Sequence, residues 1–171
     1  MSERYKGKLY HQTEWGTTVA LTCHFKFQYA TNAMKYDPEM ADGKRPVCNG
    51  CGPCGYGALV PDTILGVPAT ICGDLHNWGY QFGTDHEDKA IIDETFGDNM
   101  DRLIRDAYEN ECRKIKGGSL VTIRLWLAKR RYMARLTMAE DVYEKAVKVF
   151  GKSAFWEKRQ IRFSLDDIKE D

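Results

Sequence analysis

From Thr17 to Tyr29 the chain reads TTVALTCHFKFQY, apolar residues alternating with polar ones and β-branched and aromatic types dominating. A period of two in such residues predicts a strand with one buried face. Lys8 to His11 precede it and Gly16 is placed to turn the chain, so a small amino-terminal hairpin is expected. The pattern then breaks: residues 37–68 hold all five prolines and a cluster of glycines, which neither a helix interior nor a central strand accommodates. This stretch predicts a long irregular loop. Loops of such length in a compact domain are commonly functional, and the cysteines and aromatics here separate it from disordered sequence.

After Pro68 the spacing becomes helical. A first helix is predicted over 69–82, closed by Gly83. Thr84 and Glu87 then form a capping box for a second helix, whose Ile92, Phe96, Met100, Leu103 and Ala107 lie along one stripe. It is expected to reach Ile115 and stop at Gly117-Gly118. A further helical stretch follows over 119–151, broken near Thr137, where Thr137 and Glu140 make another capping box, and closed by Gly151. Phe155, Trp156, Ile161 and Phe163 in the tail are expected to pack back on the body. There is no internal repeat.

At 171 residues the chain is the size of one domain. Its expected parts are a β segment (1–36), the Cys/Gly/Pro-rich loop (37–68), helices (69–151) and a tail (152–171), so the class is mainly α with a small β hairpin. Lys+Arg and Asp+Glu are both 25, leaving no net field that would favour nucleic acid or an anionic bilayer. Lys129-Arg130-Arg131, with Arg124 and Arg135, reads as a solvated helix face. No apolar run approaches the ~20 residues of a membrane span, and MSERYKGKLYHQTEWG lacks the apolar centre of a signal peptide. Six cysteines in such a chain point to thiols or metal ligands before disulfides.

The chemistry centres on residues 72–80, CGDLHNWGY. Cys72, His76 and Tyr80 are spaced i, i+4, i+8 and share one helix face. Asp93 sits beside the apolar stripe of the second helix, where an unpartnered carboxylate would be costly to bury. If a turn at Gly83 folds the two helices antiparallel, His76 and Asp93 lie at similar heights. The carboxylate would then hold the imidazole in one tautomer while the other nitrogen takes a proton from water.

His76-Asn77-Trp78-Gly79-Tyr80, followed by Asp93 and Phe96, resembles the His-Asp-x-Cys-Tyr helix and later Asp of the phospholipase A2 family. Asn49-Gly50-Cys51-Gly52-Pro53 is similar to its glycine-rich calcium loop. Bacteriophage- and prophage-encoded members resemble this chain further in Val60-Pro61-Asp62-Thr63-Ile64, Asn99-Met100, Tyr143-Glu144-Lys145-Ala146-Val147 and Ala154-Phe155-Trp156.

The resemblance implies a mainly α, phospholipase A2-like fold in which two antiparallel helices carry the His/Asp pair. It implies hydrolysis of a phospholipid or other ester, with His76 as general base, Asp93 orienting it and Tyr80 supporting Asp93. Carbonyls of Gly50 and Gly52 would help hold Ca²⁺. The family has Asp where this chain has Asn77, one neutral oxygen replacing a charged pair, which weakens a calcium site. Asp74, three residues earlier, either supplies that charge or is an exposed first-turn residue. A fold that lost the reaction and binds a host protein is the alternative. The expected location is the host cytoplasm or the virion.

Cys48, Cys51 and Cys54 form overlapping CxxC pairs that can chelate Zn²⁺, with Cys72, Cys23 or His24 as a fourth ligand. Two separated CxxC knuckles would be more typical of zinc, and the plainer reading is thiols packed around a tight loop. Trp78, Trp126 and Trp156 are candidates for an apolar mouth for acyl chains or an interfacial surface; of these Trp126, within Ile123 to Leu127, is expected in the core, and Trp78, two residues from His76, is the one expected to face substrate.

Overall fold

The computed structural model of the chain describes residues 6–24 and 61–157. Strands β1 (Lys6–Gln12) and β2 (Thr18–His24) pair antiparallel, Leu9 opposite Leu21 and Gly7 opposite Cys23. Gly16 makes the turn at φ 85°, a conformation that costs a residue without Cβ little. The alternation along β2 survives in three dimensions, with Val19, Leu21 and Cys23 buried. Phe25 to Tyr29 of the expected strand fall outside the described residues, as do Ile161 and Phe163 and the Trp156 side chain.

The end of the expected loop is more ordered than its prolines suggest. Thr63–Ile64 (β3) and Val67–Pro68 (β4) form a short antiparallel hairpin. Its turn is Leu65-Gly66, at φ 46° and 83°; two positive φ values match the twist of a tight hairpin but are rare for leucine. The Leu65 carbonyl is clasped by the Arg135 guanidinium, two N–H groups each donating at 3.2 Å, while Arg135 Nη1 also donates to Glu111 at 2.7 Å.

Helix α1 spans Thr70–Phe82 and ends at Gly83, whose N–H donates to Gly79 O at 2.8 Å. Helix α2 spans His86–Lys114. Its cap is Asp85 and not Thr84: Asp85 Oδ1 accepts the Asp88 N–H at 2.9 Å, while the backbone and hydroxyl of Thr84 donate to Asp88. The expected box is displaced by one residue because a carboxylate at 85 caps better than a hydroxyl at 84.

Helix α3 (Val121–Met138) does not break near Thr137. It passes through a π-helical segment, Ala139–Glu144, into α4 (Lys145–Glu157), so Gly151 is inside a helix and closes nothing. The wider π turn absorbs a change of phase and leaves Ala139 and Tyr143 both buried. The Tyr143 hydroxyl donates to the carbonyls of Pro61 and Thr63, tying the β3–β4 hairpin to this point.

Close helix approach explains the glycines. A Cβ at Gly79 would lie 2.8 Å from Ile92 Cγ2, and one at Gly151 only 2.5 Å from the Tyr80 hydroxyl. Gly151 thus lets α4 close over the carboxyl-terminal half of α1. Helix α3 meets α2 through the stacked Tyr108 and Tyr132 rings, centroids 4.7 Å apart, and through Glu111 with Arg131 and Arg135. The hairpin is fastened to α2 by Asn99, whose amide exchanges two hydrogen bonds of 2.8 Å with the Thr22 backbone.

Two tryptophans depart from expectation. Trp78 is fully buried, 0 % exposed, in the core beside Phe82 and does not face a substrate-accessible surface; Trp126 is 56 % exposed and not in the core. Trp126 turns outward because the face of α3 that meets α2 carries Ala128, Tyr132 and Arg135, half a turn away. No helix among the described residues is long and apolar enough to cross a membrane.

Candidate functional site

Helices α1 and α2 run antiparallel, since His76 meets Phe96, Gly79 meets Ile92 and Tyr80 meets Lys89 in reversed order. The expected consequence holds: His76 Nε2 is 3.0 Å from Asp93 Oδ1. Tyr80, one turn along the same face of α1, donates its hydroxyl to that oxygen at 2.6 Å. The second carboxylate oxygen, Oδ2, accepts from Lys89 Nζ at 2.5 Å.

An ionised carboxylate only accepts hydrogen bonds, so His76 Nε2 carries the ring proton and the lone pair of the neutral imidazole falls on Nδ1. Rings of Tyr80 and Phe96, with centroids 4.1 and 4.8 Å from that of His76, pack against it and restrict its rotation. His76 is buried and Asp93 about one-fifth exposed. Such a pair can move a proton at one nitrogen while the other is held in place.

Burial opposes the negative charge of Asp93, yet hydrogen bonds from His76, Lys89 and Tyr80 outweigh it and hold the carboxyl below its ordinary value of 3.8. Burial and the bond to Asp93 push the Tyr80 hydroxyl far up, so it stays protonated and remains a donor. The depressed acid makes a prediction whose sign is fixed by linkage: its contribution to stability is fully present above the unfolded carboxyl value and is lost as pH falls through the folded one. The gap in melting temperature between the wild type and Asp93→Asn, open at neutral pH, should therefore narrow below 3.8. Thermal unfolding followed from neutrality into acid checks this, and a gap independent of pH would contradict it.

Lys89 was not evident as a site residue. Its signal is the i, i+4 spacing Lys89-x-x-x-Asp93, which in sequence looks like a surface helix pair. Gly151 is likewise part of the site, since its missing Cβ admits both the Tyr80 hydroxyl and the Lys89 ammonium. Neither contact is local in the chain.

Asp74 is 1 % exposed, so it is not the exposed first-turn residue that the helix dipole alone would favour, and Asn77 is half-buried on the same helix. An amide oxygen and a buried carboxylate three residues apart are hard donors of the type a divalent cation such as Ca²⁺ takes. Among the described residues no group of three or more His, Cys, Asp or Glu side chains converges on one point. Gly50, Gly52, Cys48, Cys51 and Cys54 lie outside the described residues. Cys72 is buried one turn before His76. His24 Nε2 is 2.8 Å from the Thr95 hydroxyl.

Compared with known proteins, the chain matches no protein-family model, no curated protein and no solved structure.

Proposed function

We propose that this chain is a phospholipase A2-like hydrolase of lipid esters, encoded by a phage or prophage, in which His76 activates water. The observation that carries the reading is the three-way contact at Asp93 Oδ1 and Oδ2, with His76, Tyr80 and Lys89 converging from two antiparallel helices on one carboxylate. A lone helical histidine does not need such support; a histidine that must gain a positive charge in a transition state does.

In this reading water attacks the ester carbonyl as His76 Nδ1 takes its proton. Asp93 stabilises the imidazolium so formed, and the proton passes to the departing alkoxide, giving a carboxylic acid and an alcohol. Lys89 and Tyr80 keep Asp93 ionised and stationary through both transfers. Asp74, Asn77 and the carbonyls of Gly50 and Gly52 would hold Ca²⁺, which when bound polarises the ester carbonyl and stabilises the oxyanion.

Asn77 favours a second reading, a fold of this kind that has given up hydrolysis and binds a host protein, because an amide at that place weakens any calcium site. Zn²⁺ on Cys48, Cys51, Cys54 and Cys72 is a third. One experiment separates them: phospholipid hydrolysis across a Ca²⁺ titration for the wild type and Asn77→Asp, with bound metal quantified. Calcium-dependent hydrolysis, raised by roughly tenfold or more in Asn77→Asp through restored metal affinity, is the expected result. A silent wild type whose Asn77→Asp variant turns over would point to the second reading, and stoichiometric zinc with no hydrolysis to the third.

A further inference from the structure

The outer face of α3 is unusual for a surface helix. On the side away from α2 it exposes Ile123, Trp126, Leu127 and Met133, at 55, 56, 41 and 51 %. At 100° per residue these four fall within one sector, about 15 Å long. Lys129 borders the sector on one side and Arg124 on the other, while Arg130 rises from within it and lays its guanidinium over the Trp126 ring, 5.4 Å from its centroid.

The charge on this helix has one sign. Val121–Met138 contains five basic residues and no acidic one. Arg131 and Arg135 are neutralised by Glu111 of α2. Arg124, Lys129 and Arg130 are left to the apolar face, and none makes a salt bridge among the described residues. Solvation alone does not account for this, since a solvated face is polar and this one exposes four large apolar side chains among its cations. Arg124, Lys129, Arg130 and Arg131 are exposed, as a solvated face requires, whereas Arg135 is buried and departs from that expectation.

We propose that this face of α3 docks on an anionic lipid surface. The apolar side chains, Trp126 among them, enter the boundary between headgroups and acyl chains, while the long basic side chains beside and between them keep their charges at the level of the lipid phosphates. The charge decides between occupants. A second copy of the chain would bring three unpaired cations against the same three, whereas an anionic bilayer supplies the opposite charge along the whole length of the helix. Although the chain is neutral overall, the attraction is local, because charge within a Debye length is what such a surface feels. The argument rests on α3 alone and does not require the hydrolase reading.

The test is sedimentation of the full chain with vesicles of phosphatidylcholine, or of phosphatidylcholine and phosphatidylglycerol mixed, beside Trp126→Glu and a Lys129→Gln/Arg130→Gln double variant. All three substituted positions are exposed, so circular dichroism and the melting temperature should not change. The wild type should pellet with the anionic vesicles and at least about tenfold less with the neutral ones. Trp126→Glu should lose that binding, and the double variant should weaken it by about fivefold for each cation removed. A wild type that remains in solution with anionic vesicles, or Trp126→Glu pelleting as the wild type does, would overturn the proposal. So would light scattering that finds a dimer dissolved by Trp126→Glu with no vesicle binding, which would make the occupant a second copy. Because binding is read and not turnover, failure here leaves the assignment of His76 standing, and a dead His76 leaves this surface standing.

Discussion

His76→Gln is expected to lower phospholipid turnover by at least about 10³-fold, the upper range for loss of a general base, while the melting temperature moves by only a few degrees. The two halves of that result have separate causes. Glutamine has a terminal amide that can donate to Asp93 Oδ1 much as His76 Nε2 does at 3.0 Å, so the carboxylate keeps its partners, with Tyr80 and Lys89 undisturbed. No nitrogen of an amide accepts a proton near neutral pH, so the base is lost although the network is kept. Parallel activity and thermal unfolding measurements read both halves. Activity within tenfold of wild type would remove His76 from the chemistry, whereas loss of both activity and fold would assign it a packing role.

Trp78→Ala should behave in the opposite way. Trp78 has no exposed surface and lies against Phe82 with ring centroids 5.0 Å apart. Removing a buried indole forfeits its transfer free energy and leaves a cavity, together about 3–5 kcal/mol. In a chain of this size that corresponds to a fall in melting temperature of about 10 °C. A tryptophan lining a substrate mouth would instead lower affinity for substrate at unchanged stability. Thermal unfolding of the variant therefore decides between core and mouth, and a melting temperature equal to that of the wild type would contradict the buried placement.

The pair of residues at the centre of the site was legible because its logic is local. Cys72, His76 and Tyr80 share a face by spacing alone, and a short turn at Gly83 forces α1 and α2 into antiparallel contact. With the turn known, His76 and Asp93 fall opposite one another by counting residues. The same holds for β2, whose alternation states which residues point inward. Where the reading failed, the deciding interaction joined residues far apart in the chain. Gly151 looks like a helix stop, but Tyr80, far away in the chain, needs the space that a side chain would fill, and the helix carries on. Trp126 has the surroundings of a core residue, yet Glu111 and Tyr108 of α2 draw the opposite face of α3 inward.

By itself, then, the sequence determined the amino-terminal hairpin, the first two helices and the one face of α1 that carries the chemistry, since helix and strand periods are written in each run of a few residues. Only the tertiary structure decided that Lys89 completes the carboxylate, that Asp74 and Trp78 lie inside, and that α3 turns an apolar, basic face outward. Burial and partnership are properties of helix pairs, and the choice of which faces meet is made by competition among contacts that no short stretch of sequence contains.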